Sequence, residues 1–139
     1  MLTANHPRVG VGILLVDESG RLLLTLRRCP PEASCWSIVG GKLDYLETLE
    51  QCAIREALEE VGAAISIDSL LCVTDHLVPA EGQHWVSPAF LAHVSSRDAC
   101  NREPDKTQEV RWFPLDALPP NLTITARNAI KAYKRRPAP

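Results

Sequence analysis

Glu56, Glu59 and Glu60 stand at positions i, i+3 and i+4 in the run REALEEVGA, and carboxylates so spaced share one face of a helix. At about 100° per residue they fall within an arc of roughly 100°. Like charges held that close repel one another, so the arrangement calls for a counter-charge. A divalent cation would supply it, because hard carboxylate oxygens suit Mg²⁺ or Mn²⁺. A solvated acidic helix face is the plainer reading of this spacing taken alone.

The helix that must carry these acids has its own start and stop signals. Thr48 with Gln51 three residues on has the form of a capping box, which starts the helix near Leu49. Gly62 stands where a left-handed C-terminal cap is expected. Ile54, Ala57, Leu58 and Val61 are expected to form the face buried against a sheet, opposite the acids. Arg55, next to Glu56 and four residues before Glu59, is placed to hold a carboxylate.

Before the helix, residues 9–16 form a continuous apolar run and Glu18-Ser19-Gly20 punctuates it as a turn. Residues 21–26 are apolar again, so the two runs read as a hairpin of buried strands. Pro30 and Pro31 open a loop that reaches Trp36, and residues 37–39 lead into the Gly40-Gly41 pair. Beyond the helix, residues 64–73, 84–94 and 110–113 read as strands, with polar segments at 79–83 and 101–108 between them. Pro119-Pro120 ends the next segment, and residues 123–135 make a basic C-terminal helix. No repeat, linker or low-complexity tract interrupts the chain, so residues 1–139 read as one domain with a mixed sheet between helices.

Composition agrees with a soluble globular domain. The 139 residues suffice for one core, and 45% hydrophobic with 23% charged residues are ordinary globular values. A net charge of −2 gives no electrostatic case for binding a nucleic-acid polymer or a membrane. No apolar run has the length of a membrane span, and MLTANHPRVG lacks the basic and apolar regions of a signal peptide. Cys29, Cys35, Cys52, Cys72 and Cys100 are odd in number and irregularly spaced, which reads as reduced thiols in a cytoplasmic protein.

Residues 41–63 complete a larger pattern. Gly41, Glu47, Arg55, Glu56, Glu59, Glu60 and Gly62 fill every fixed position of G-x5-E-x7-R-E-U-x-E-E-x-G-U, where U is a bulky aliphatic residue. Only the aliphatic positions depart, with Ala57 and Ala63, and those change packing volume rather than chemistry. The chain thus resembles the Nudix hydrolase family, whose fold is an α/β/α sandwich with a mixed β-sheet between helices. The resemblance implies hydrolysis of a nucleoside diphosphate linked to another group, with Mg²⁺ or Mn²⁺ as cofactor. It implies Glu59 and Glu60 as metal ligands, Glu56 as a ligand or as the base orienting water, and Glu47 with Arg55 as the supporting salt bridge. A backbone carbonyl at Gly40-Gly41 would complete the coordination, and Gly41 carries that role.

Outside the signature, Arg27 closes the second strand where related enzymes carry a basic residue facing phosphates, a role that suits an arginine fork. Lys42 and Gly40 beside it are further candidates for substrate binding. The EPDK at residues 103–106 ahead of Trp112-Phe113-Pro114 resembles the MutT-like triphosphatase subgroup, and Glu109 is the expected extra metal ligand. His84 and Trp85 should face opposite sides of a regular strand, and His76 reads as a packed or solvent-facing histidine. Trp36 and Trp112 read as core or rim residues, and Lys131 to Arg136 as a solvated helix face.

These features rank three functions. The first is Mg²⁺-dependent hydrolysis of a nucleoside triphosphate, modified or not, to monophosphate and pyrophosphate. The second is an ADP-ribose or nucleotide-sugar pyrophosphatase, for which Pro79 falls sixteen residues beyond the signature. The third is a Nudix-fold module that binds a nucleotide without hydrolysing it, which the intact carboxylates disfavour. The resemblance also admits a homodimer, although no stripe in the chain marks an interface.

Overall fold

The computed structural model describes residues 5–137, so the first four residues of the segment read above as lacking a leader lie outside it. Strand β1 (Arg8–Val16) is the axis of the molecule. It is apolar at nearly every position because both of its faces are covered. Val11, Ile13 and Leu15 point into one core cluster, while Leu14 and Val16 point into a second on the other side of the sheet.

Around it are β2 (Leu22–Arg27), β3 (Trp36–Ser37), β4 (Val39–Lys42), β5 (Ser69–Val78), β6 (Gln83–His93) and β7 (Thr107–Phe113). The sheet runs β3-β2-β1-β6-β5, with β4 added to β1 and β7 to β2. β6 lies parallel to β1 and the other pairs are antiparallel, which makes the expected mixed sheet. Helix α1 (Leu49–Val61) covers the first cluster with Cys52, Ala53, Ala57 and Val61. Helix α2 (Ile124–Lys134) covers the second with Ala126, Ala129 and Ile130. Small residues on both helices let them sit close to the sheet, and the layers form the expected sandwich. Among the described residues no helix is long and apolar enough to cross a membrane.

Several expectations shift. The β1–β2 hairpin is paired only at Val16 and Leu22, because β4 takes the rest of that edge of β1 from Gly10 to Ile13. Residues 64–68 are not strand. Ile65 and Ile67 pack against the first cluster, and the ladder starts at Ser69 and continues through His76 to Val78. β7 likewise begins at Thr107 rather than Val110.

The largest correction concerns α1. Its caps are as expected: Thr48 and Gln51 form the capping box, and Gly62 closes the helix at φ 72°. Its buried face, however, is turned by about a quarter of a revolution toward the acids. Ile54 and Leu58 are 41% and 54% exposed, and Cys52 and Ala53 take the buried places. The acidic stripe is not the solvent face of an amphipathic helix; two of its three glutamates, Glu56 and Glu60, are turned toward the sheet.

Candidate active site

Backbone without side chains makes room for the acids. A Cβ on Gly41 would overlap the carboxyl group of Glu56, and a Cβ on Gly40 would strike the Val11 carbonyl. The two glycines of β4 therefore let α1 lie directly over the strand. Gly40 N–H donates to Glu60 Oε2 at 3.1 Å, so Glu60 reaches from the helix to the strand.

Arg55 ties the preceding loop to these acids. Its Nε and Nη2 donate to the two Glu47 oxygens at 2.7 and 2.9 Å. Nη1 donates to Glu56 Oε2 at 2.9 Å and Glu59 Oε1 at 3.1 Å, and Nη2 also reaches the Lys42 carbonyl at 3.1 Å. The sequence expectation of a supporting Glu47–Arg55 bridge thus has the geometry of a bidentate fork. The Arg55 hydrogen bonds hold the Glu47 carboxyl down at about 2. Beneath the loop, burial pushes the Cys52 thiol up to about 12, so it is inert. All five cysteines are free.

Glu56 and Glu60 are shifted the other way. Burial raises Glu56 against the pull of Arg55, with the charges of Glu59 and Glu103 adding to the rise. Burial raises Glu60 to about 8, opposed by the Gly40 N–H and reinforced by Glu56 and Glu103. Two desolvated carboxylates, each with one oxygen engaged by the protein, suit a divalent cation. Glu59 sits at the rim, its side chain 51% exposed. Among the described residues no three acidic, histidine or cysteine groups close into a cage. An open set of this kind suits Mg²⁺, which is held by one or two carboxylates and completes its shell with water and phosphate oxygens.

Two acids of the segment after α1 differ in their surroundings. Glu109 lies on β7 opposite Leu26 and accepts from Arg111 Nε at 2.8 Å. Glu103 is the acid of this segment whose charge acts on Glu56 and Glu60. Its loop is fixed to the end of α1, with Cys100 N–H donating to the Val61 carbonyl and Arg102 N–H to the Glu60 carbonyl. Asn101 Oδ1 then accepts from the Glu103 N–H at 3.1 Å. The EPDK motif contained this residue; choosing within it required the path of the loop.

On the other face of the sheet a cavity of about 240 Å³ opens beside Gly10, Gly12 and the Gly40-Gly41 pair. Arg27 and Lys42 line it, and so do Glu32, His76, Trp85 and Ser87. Arg27 Nε donates to the Pro31 carbonyl at 2.7 Å, and its positive charge reaches Glu60. His84 and Trp85 do diverge as alternation requires, but the histidine that accompanies Trp85 is His76, its cross-strand partner. Sequence reading missed this pair and missed Glu32, since only the register of β5 on β6 reveals the first and only the path of the loop before β3 the second. Trp36 is core, packed edge-on against Phe113 with centroids 4.9 Å apart. Pro79 opens a short 3₁₀ turn between β5 and β6, a structural use that accounts for it.

The comparisons with known proteins agree with this layout. A family model described as NUDIX domain matches residues 6–133. The chain is 29% identical over 130 residues to an ADP-ribose pyrophosphatase of Methanocaldococcus jannaschii, covering 94% of this chain and 75% of that protein. It is 32% identical over 111 residues to an oxidized purine nucleoside triphosphate hydrolase of Danio rerio, covering 77% and 67% of the two. The crystal structure of a MutT NUDIX hydrolase from Burkholderia pseudomallei superposes with a TM-score of 0.85 at 46% identity, over 91% of this chain and 98% of that one. The chain belongs to the NUDIX family and is a hydrolase of nucleotide-linked substrates.

Proposed function

We propose that the protein hydrolyses a nucleoside triphosphate to the monophosphate and pyrophosphate. The observation that carries this reading is the division of the site by the Gly40-Gly41 backbone. Glu56 and Glu60 lie on one side and a cavity with Arg27 and Lys42 in its wall lies on the other. A polyphosphate laid across the glycines meets the acids at one end, while its nucleoside enters the cavity. The 32% identity to an oxidized purine nucleoside triphosphate hydrolase supports the triphosphate class.

In this reading Glu60, Glu59 and the Gly41 carbonyl would hold Mg²⁺ or Mn²⁺, Glu103 would be the further acid, and Glu56 is kept for the water. When bound, the cation supplies neutralising charge to the phosphate oxygens, which otherwise repel a nucleophile. Glu56 orients the attacking water and takes its proton at Oε1, the oxygen that Arg55 leaves free. Arg55 and Glu47 act as positioning residues, holding Glu56 against Gly41. Arg27 and Lys42 bind the phosphates from the cavity side, and Gly40 fixes Glu60.

An ADP-ribose pyrophosphatase is the second reading, favoured by the Methanocaldococcus jannaschii relative, whose match covers nearly the whole chain. A panel of triphosphates, ADP-ribose and nucleotide sugars separates the two. The test adds Mg²⁺ or Mn²⁺, with inorganic pyrophosphatase to reveal pyrophosphate. Pyrophosphate from triphosphates is the expected result; turnover of ADP-ribose alone would move the assignment to the second reading.

A further inference from the structure

A buried His76 and a half-buried Glu32 form a polar pair in the wall of the cavity, away from the acids of α1. His76 Nε2 lies 2.7 Å from Glu32 Oε1, and His76 is only 8% exposed. Glu32 Oε2 accepts from the Ile124 N–H at the start of α2, at 2.9 Å. The Glu32 N–H donates in turn to Glu81 Oε2 at 3.2 Å, in the turn between β5 and β6. Two separate segments thus fix the carboxyl group of Glu32, and a third holds its backbone.

The charge state of the pair sets what it can offer. Burial raises the Glu32 pKa, but the hydrogen bonds from His76 and Ile124 outweigh it and leave the group below the ordinary carboxylate value. An ionised carboxylate only accepts, so Nε2 carries the proton. Both Glu32 oxygens are then engaged, and in the neutral ring Nδ1 is a lone-pair acceptor. The bond to Glu32 is the ring's one hydrogen bond among the described residues. Trp85, opposite His76 in the register, gives the same wall an aromatic surface.

We propose that the Glu32–His76 pair is a base-reading element, in which His76 Nδ1 accepts a hydrogen bond from an exocyclic amino group of the nucleobase. Glu32 is a positioning residue that sets the tautomer and the ring orientation. The inference rests on the reading that this cavity takes the nucleoside part of the substrate. An amino group there completes the histidine's bonding. An oxo group at the same place sets two acceptors against each other and leaves both without a partner, so the pair discriminates between an amino base and its oxo counterpart.

The test uses the full chain and monophosphates that pair an amino base with a counterpart lacking that amino group: AMP with IMP, GMP with IMP, and CMP with UMP. Affinities come from calorimetry, and long-range ¹H–¹⁵N spectra follow the His76 ring. The Nε2–H tautomer is expected in the free protein. In at least one pair the amino compound should bind about tenfold more tightly or better, the worth of one hydrogen bond, and should shift the Nδ1 resonance. His76→Phe is expected to reduce that ratio to about twofold, while His76→Gln, which keeps an acceptor, restores part of it. A ratio near one in all three pairs, an Nδ1 resonance that no amino compound moves, or an Nδ1–H tautomer would each overturn the proposal. The spectra of the unaltered protein decide the matter even where a variant fails to fold. Failure of the hydrolytic reading would look different, as base discrimination intact without pyrophosphate release from triphosphates.

Discussion

The Glu56 carboxyl group occupies the volume that a side chain at residue 41 would need. The glycine of the signature is therefore matched to the glutamate fifteen residues later, and the two positions act as one device. Gly41→Ala would displace the flexible end of Glu56 while leaving the backbone of β4 in place. Turnover should fall about a hundredfold, the usual consequence of an ångström-scale misplacement. Chemical denaturation should show a stability change within about 1 kcal/mol.

Gly40→Ala should behave in the opposite manner. Its added carbon would meet the Val11 carbonyl, which is backbone in the central strand and has no rotamer to escape into. A loss of about 2 kcal/mol of stability is expected, measured by the same denaturation experiment. Two neighbouring glycines would thus separate a catalytic requirement from a folding one.

Glu60→Gln should cost about two to four orders of magnitude in turnover while melting at a higher temperature than the unaltered chain in the presence of a chelator. The sign follows from burial: the carboxylate is desolvated and its pKa is pushed up to about 8, so replacing it with a neutral amide removes a penalty when no cation is present. Scanning calorimetry with chelator and with added Mg²⁺ checks this. A variant that melts lower under both conditions would contradict the assignment.

Arg55→Lys removes the fork to Glu47 while keeping a positive charge. One ammonium cannot serve Glu47, Glu56, Glu59 and the Lys42 carbonyl together. Turnover is expected to fall by about one to two orders of magnitude with a lower melting temperature, and Glu47→Gln should move both in the same direction.

Glu103→Gln should lower turnover about tenfold or more, whereas Glu109→Gln should leave it within about twofold. Steady-state kinetics on the two variants distinguishes the acid that acts on Glu56 and Glu60 from the one paired with Arg111.

Far from the site, Glu18 accepts from the Ser96 hydroxyl at 2.7 Å and from its N–H at 2.9 Å, which draws its pKa down to about 2. A carboxyl whose pKa is lower folded than unfolded stabilises the fold above the unfolded value. That contribution is lost as the pH falls from about 4.5 through about 2. Carboxyl carbon resonances followed by NMR should show the depressed midpoint, and Ser96→Ala should return it toward the ordinary value.

The legible part of the chain was the part whose rules are local. Thr48, Gln51 and Gly62 signal the ends of α1 within a few residues of themselves, and the signature spacing fixes which side chains share a face. The side on which α1 is buried was not local. Ile54 and Leu58 are more apolar than Ala53, yet contact with Gly40 and Gly41 turns the helix until the small residues and two acids face the sheet. His76 was ambiguous for a similar reason: its neighbour in space is Trp85, and only strand register makes that visible. The placing of Glu103 near the acids of α1 depends on hydrogen bonds from Cys100 and Arg102 to the end of the helix, which no motif encodes.

The sheet that separates the acids of α1 from the Glu32–His76 wall also divides the proposed site into two workplaces. In the proposed reading, substitutions at His76 or Trp85 would retune which compound is admitted while the acids of α1 stay in place. A scaffold so arranged can diversify its diet while its cutting edge stays fixed.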